Sequence, residues 1–220
     1  MHFLKQLLIA FLATFAAVAG WAQTTYPDRS IKILVPFPPG GGTDILTRQI
    51  STAISTRLGW SIVVDNKPGA GGNLALDTIA KSKPDGYTLV MAQTDNIVMN
   101  GLLYSKLSYD PVKDFEPIAA VARGAAVLVV RAESPYKTLG EVVAAAKSNP
   151  EKLTFATPGT GTTPHIFEQL WETVSGIRFT HVPYKGAAQA VPDLIGGQVD
   201  LYMGSIPTLR GQVEGGKMRA

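Results

Sequence analysis

Short runs of β-favouring apolar residues alternate along most of the chain with longer stretches whose apolar positions recur every three or four residues. "SIKILVPF" (30–37) reads as a buried strand, and "TDILTRQISTAISTRLG" (43–59) as a helix with Ile45, Leu46, Ile50, Ile54 and Leu58 on one face and Gly59 as its stop. "SIVVDN" (61–66) is the next strand, "NLALDTIAKS" (73–82) the next helix, and "PDGYTLVMAQ" (84–93) a turn feeding a third strand. Parallel neighbours need a crossover long enough to hold a helix, so this β-α-β-α-β order predicts a mostly parallel sheet with helices on its faces.

The segment 100–133 breaks the rhythm, because two apolar β-like runs flank Arg123-Gly124 with no helical pattern between them. A second series follows. Thr138 and Glu141 have capping-box spacing ahead of "EVVAAAKS". "LTFATPG" (153–159) is a strand, and "TPHIFEQLWETVSG" (163–176) a helix with Ile166, Phe167, Leu170, Trp171 and Val174 as its expected buried stripe. "RFTHVPY", "AAQAVPDLI" and "QVDLYMG" continue the alternation. The expected fold class is α/β, in two lobes joined near residues 120–126, each a mostly parallel sheet flanked by helices. Lobe 1 then spans 23–123 and lobe 2 spans 124–220.

The N-terminus bears on compartment. Lys5 precedes the apolar core "LLIAFLATFAAVAG", and Gly20 and Ala22 supply small residues for cleavage after Ala22. A core of that length is short for a membrane span, so residues 1–22 read as a secretion signal and the mature protein is expected to be soluble in the periplasm. Losing Lys5 takes the formal charge from +3 to +2. The Lys and Arg residues are scattered, so no nucleic-acid partner is expected. The chain has no cysteine, which excludes a thiol nucleophile, a thiolate metal site and a lipidated N-terminal cysteine.

Each lobe has a strand that ends in a Gly-rich loop and opens a helix: "PFPPGGGTD" (36–44) and "ATPGTGTTPH" (156–165). The first turn of a helix carries unpaired N–H groups and partial positive charge, so an anion placed there is held by both. Neither loop has the Lys of a phosphate-binding P-loop, and "GGGTDI" and "GTGTTP" each lack a glycine of the dinucleotide fingerprint. No nucleotide cofactor is expected. The plainer reading of "PPGGG" is a sharp turn with Thr43 or Asp44 as helix cap. The similar second loop shifts the balance towards a dianion gripped from both sides. "KPGAGGNLA" (67–75) is either a cleft wall or a turn capped by Asn73, and Gln93, Thr94 and Asp95 after the third strand are candidate polar contacts.

Catalytic machinery is sparse. Of three histidines, His2 falls in the signal, while His165 and His181 stand apart. A Thr162 or Thr163 nucleophile beside His165 lacks a GxSxG elbow and an acidic partner, and no metal-ligand spacing occurs. Neither enzyme activity nor any cofactor or metal is expected.

"YPDRSIKILVPFPPGGGTD", "NKPGAGGNLALDTIAKSKPDGYTLVMA", "LSYDPVKDFEPIAAVA", "TPGTGTTPH" and "HVPYKGAAQAVPDLIGGQVDL" together resemble the Bug, or tripartite tricarboxylate transporter, family of periplasmic substrate-binding proteins. The resemblance implies a two-lobed type II periplasmic-binding-protein fold, a Venus flytrap that closes on a small carboxylate and delivers it to the membrane components of a tripartite tricarboxylate-type transporter. It implies ligand contacts from Phe37, Gly40, Gly41, Thr43 and Asp44 on one side, and from Gly159, Thr160, Gly161, Thr162 and His165 on the other. Pro38 joins Phe37 in an apolar wall, and Gln93 and Thr94 add polar groups. Where the family often shows Phe-Asp-Asn-Leu-Pro, this chain has Gly204 in place of the acid and Ser205 in place of the amide, which favours ligands without a free amine. The family's closing segment is expected to be missing after Ala220, and the protein to act as a monomer. The rival readings are a ligand-binding sensor subunit for a signalling system and an exported hydrolase or transferase on a similar scaffold.

Overall fold

The computed structural model of the chain describes residues 25–220, and the expected secretion signal at 1–22 lies outside them. One sheet contains β1 (Ile31–Val35), β2 (Ile62–Asn66) and β3 (Thr88–Val90) in the order β2-β1-β3, all parallel, with Ile33 opposite both Val64 and Leu89. Its crossovers carry α1 (Gly42–Leu58) and α2 (Asn73–Ala80). As the central strand β1 is buried everywhere except Lys32, which is why it reads as a nearly unbroken apolar run. Gly59 ends α1 in a left-handed conformation, φ 69°, and its N–H returns to the Ser55 carbonyl at 3.0 Å. After β3 a π-helical turn, Asp95–Met99, runs into the short helix α3 (Asn100–Leu103).

The other sheet is built from β4 (Ala126–Arg131), β5 (Thr154–Thr157), β6 (Thr180–Pro183), β7 (Leu201–Ser205) and β8 (Met218–Arg219), in the order β6-β5-β7-β4-β8. β5 lies parallel to β6 and β7, whereas β4 is antiparallel to β7 and β8. Between the strands run α4 (Leu139–Ser148), α5 (Thr163–Ser175), α6 (Ala187–Ile195) and α7 (Ile206–Glu214). Alternate strand residues serve opposite faces: Phe155 and Leu201 pack with Val142 and Ile177, while Ala156 and Tyr202 pack with Ala190 and Leu194. No helix among the described residues is long and apolar enough to cross a membrane.

The capping box at α4 is present, with Thr138 Oγ1 accepting from the Glu141 N–H and Glu141 Oε2 accepting from the Thr138 N–H, both at 3.2 Å. Thr138→Ala is expected to lower stability by about 1 kcal/mol. An earlier urea midpoint with unchanged slope checks this, and an unmoved midpoint would show that the cap contributes nothing.

Three local expectations are corrected. On α1 the buried side chains are Thr43, Asp44, Thr47 and Ser51, while Leu58, assigned to the apolar face, is 56% exposed. On α5 Phe167, Leu170 and Val174 are exposed, and the buried line runs through Pro164, Glu168 and Glu172. Periodicity locates an apolar stripe but not the rotation of the helix about its axis, which the entering loop and its tertiary contacts fix. The hydroxyls of Thr47 and Ser51 can be buried because they donate to the carbonyls four residues back, at 2.6 and 2.8 Å. Thirdly, residues 117–125 form no strand, and Ile118 and Val121 are exposed. An apolar run becomes a strand only beside an edge that takes its N–H and C=O groups, and none among the described residues lies there.

Candidate functional site

β1 delivers the chain into Pro36–Pro39, and Gly40, at φ 82°, turns it into α1 with Gly41 as the N-cap. The N–H groups of Gly42, Thr43 and Asp44 form the first turn and have no partner within the helix. Neither Thr43 nor Asp44 is the cap. Asp44 is 3% exposed, and its carboxylate accepts from the Gly40 N–H at 2.9 Å, Arg48 Nε at 3.0 Å and Asn66 Nδ2 at 2.9 Å. Burial alone would raise its pKa, but the hydrogen bonds from Arg48, Gly40 and Asn66 outweigh it and hold the carboxyl below its ordinary range. Asp44 therefore stays ionised and braces the glycine loop from behind. Asn66 also donates to the Phe37 carbonyl at 3.0 Å, and Gln93 Nε2 to Thr43 Oγ1 at 2.5 Å, while Thr94 is exposed.

In the second loop the hydrogen bonds are largely internal. Thr162 Oγ1 donates to the Gly159 carbonyl at 2.6 Å and the Gly161 N–H donates to His165 Nδ1 at 3.2 Å. The Thr163 N–H and hydroxyl both donate to Asp95 Oδ1 of the first lobe. A carboxylate from this chain thus already occupies the start of α5, and neither threonine hydroxyl is directed at His165. Thr160 is exposed. Asn73, a candidate cap, instead accepts from Asn100 Nδ2 at 2.6 Å and Tyr109 OH at 2.8 Å, and Gly72 caps α2.

The lobes meet along a close seam. A β-carbon added at Gly42 would lie 2.2 Å from Ser205 Oγ and 2.9 Å from Ser205 Cβ, and one added at Gly186 would lie 3.1 Å from Pro38 Cδ. Ser205 is the N-cap of α7 and Gly186 that of α6, so three helix N-termini, those of α1, α6 and α7, converge there. A cavity of about 240 Å³ lies at this point, lined by Gly40, Ala187, Ala188 and Thr208 among others. A larger groove of about 420 Å³ runs along α1 and β2 past Arg48, Ser51 and Ile62, with no converging helix ends. The structure thus brings Pro38, Gly40 and the start of α1 together with Ser205. It adds Gly42, Gly186, Ala187 and Ala188, which sequence reasoning missed. The available signal was "KGAAQA", a glycine followed by small residues at a helix start.

Beneath the Gly159–Thr162 loop the His165 and His181 rings stack at 4.3 Å, and Glu168 Oε2 lies 3.7 Å from His181 Nε2. Burial, reinforced by Glu172, pushes the Glu168 carboxyl up to about 8. Burial and the neighbouring His165 push His181 down to about 4, against the pull of Glu172. These shifts oppose an ion pair: near neutral pH the proton sits on Glu168 and His181 is uncharged. Burial also lowers His165, matching an Nδ1 that accepts the Gly161 N–H.

The model of the tripartite tricarboxylate transporter family receptor matches residues 46–220. The chain is 38% identical over 222 residues to a UPF0065 protein of Cupriavidus necator, covering 99% of this chain and 67% of that one. It is 34% identical to BugT of Bordetella pertussis, with 97% and 67% covered. Among solved structures, a periplasmic transporter superposes with TM-score 0.85 at 38% identity, covering 89% of this chain and 66% of that one. A protein of R. palustris solved with adipate gives 0.85 at 34%, covering 88% and 65%. MatC from Rhodopseudomonas palustris with bound malate gives 0.80 at 32%, covering 89% and 66%. The curated relatives that align along nearly the whole chain are longer than it, and it spans 62% to 67% of their length. With its two β/α lobes, its glycine-turned helix starts and this match along the chain, the protein belongs to the tripartite tricarboxylate transporter receptor family and has the periplasmic-binding-protein fold.

Proposed function

We propose that the protein captures a small carboxylate between its lobes in the periplasm and delivers it to the membrane components of a tripartite tricarboxylate-type transporter. One observation carries the reading: the like-poled N-termini of α1, α6 and α7 converge at the seam beside the Gly40–Thr208 cavity. Such ends repel one another unless an anion lies between them, and their free N–H groups match a carboxylate. Adipate and malate in two related structures support the ligand class.

In this reading Gly40, Gly41, Thr43 and the first-turn N–H groups of α1 hold one side, with Phe37 and Pro38 excluding water. Ser205, Thr208 and the start of α6 hold the other, and Gly159, Thr160, Gly161, Thr162 and His165 line the adjoining wall with Gln93 and Thr94. Residues 23–123 and 124–220 act as the lobes and move about 120–126. A single copy suffices, since both halves of the grip come from one chain. The pattern at 1–22 serves export and is cleaved after Ala22.

A panel of mono-, di- and tricarboxylates that includes adipate and malate tests this. At a hundredfold excess over Kd, a bound acid is expected to raise Tm by about 5 °C or more, and its methyl ester not at all. No response from any acid would sink the reading, and an equal response to the ester would remove the anion seat.

A further inference from the structure

The Gly159–Thr162 loop rests on polar groups that a backbone anion seat does not by itself require. Glu168 is 1% exposed, and neither carboxyl oxygen has a hydrogen-bond partner among the described residues. At 3.7 Å even His181 Nε2 is beyond hydrogen-bond range. From His181 the contacts run outward without a gap. Its Nε2 lies 2.8 Å from Thr157 Oγ1, which accepts the Gly159 N–H at 3.3 Å, and the Gly159 carbonyl accepts the Thr162 hydroxyl at 2.6 Å. A second line leaves through the stacked ring of His165, whose Nδ1 accepts the Gly161 N–H. Both halves of the loop therefore sit on the two imidazoles, with a buried carboxyl below them. An apolar side chain would fill that space without the cost of desolvating an acid.

We propose that Glu168 and His181 are positioning residues for the carboxylate site: the loop senses the proton they hold, and loss of that proton weakens carboxylate capture. The inference rests on reading the loop as part of an anion site. With the proton on Glu168, nothing draws hydrogen onto His181 Nε2, which is then free to accept the Thr157 hydroxyl across their 2.8 Å contact. An ionised Glu168 instead favours hydrogen on Nε2, which turns the Thr157 hydroxyl towards the Gly159 carbonyl, 3.4 Å away, in competition with Thr162. It also places negative charge under a bound anion. The other charged groups around the cluster are already engaged. Glu172 on α5 accepts from the Phe179 N–H at 2.6 Å and pairs with Arg178 at 3.2 Å, and Asp95 from the first lobe holds Thr163.

Carbon-detected NMR of the unliganded protein from pH 5.5 to 9.5 tests the relay. The Gly159 and Gly161 resonances are expected to move with a shared midpoint near 8, and Glu168→Gln, which mimics the protonated acid, to abolish it. Thr157→Val, which removes only the hydroxyl, should uncouple Gly159 and leave Gly161 moving. The absence of a shared midpoint, or its survival in Glu168→Gln, would overturn the proposal. With adipate or malate as probe, wild type should weaken by up to about tenfold per pH unit above that midpoint. Glu168→Gln should match wild type within about twofold at pH 6.5 and show no alkaline loss; the same alkaline loss in both proteins would also overturn the proposal. If neither acid binds at any pH, the carboxylate reading fails for these ligands, while the resonances still decide the relay.

Discussion

Gly42→Val is expected to abolish carboxylate capture, weakening it at least about a hundredfold, or ~2.7 kcal/mol, while each lobe keeps its fold. The new β-carbon would lie 2.2 Å from Ser205 Oγ and 2.9 Å from Ser205 Cβ. The hydroxyl can rotate away, but the β-carbon is fixed to the backbone that begins α7. The lobes must then stand apart, and the α1 and α7 N-termini no longer reach one anion together. Gly211→Ala on α7 is the internal control, since its added β-carbon meets no atom within 4 Å and the residue lies outside the proposed grip. Calorimetric titration with the acid that raises Tm most, alongside far-UV circular dichroism, checks both variants. Retained affinity in Gly42→Val would mean that the seam is not the ligand's seat.

Glu168→Gln is expected to raise stability by a few kcal/mol at pH 9 and to change it little at pH 5. The Glu168 carboxyl, ordinarily at 4.5, is pushed up to about 8, so the folded state holds a proton that the unfolded chain releases across that interval. Its contribution is full below 4.5 and is lost as pH rises through 8. His181 works oppositely: lowered from 6.5 to about 4, it makes folding costlier as pH falls through that window. Between about 4.5 and 6.5 the slopes of Glu168 and His181 cancel each other, so the decline from 6.5 to 8 is the part that belongs to Glu168. Thermal unfolding of both proteins across pH 5 to 9 reads this directly. A constant offset between the two curves would show that Glu168 titrates normally in the folded state.

Much of the fold was legible because local chemistry and tertiary role agree in this chain. β1 reads as buried because a central parallel strand is covered on both faces, and Gly59 and the Thr138-Glu141 pair end and start their helices by backbone rules that need no partner. The glycine loops were legible as helix starts for the same reason. Which glycine matters was not. Gly40, Gly41 and Gly42 are equivalent in sequence, and only the approach of Ser205 from 163 residues away singles out Gly42. Asp44 could be read as a cap or a ligand contact until Arg48 and Asn66 were seen to take its carboxylate. The outward turn of Phe167, Leu170 and Val174 was equally hidden, because the tie from Thr163 to Asp95 helps set how α5 sits.

The sequence by itself determined the alternation of strands and helices over 30–93 and 126–205, the parallel crossovers of the first sheet, the glycine-turned helix starts with their exposed N–H groups, and the family, since each depends on neighbouring residues or on motifs read along the chain. Tertiary structure alone decided which helix ends converge, which glycine must stay bare, and why two histidines far apart in sequence stack above a buried acid. Those outcomes depend on distances between segments brought together by the packing of two sheets, and no local period or composition encodes them.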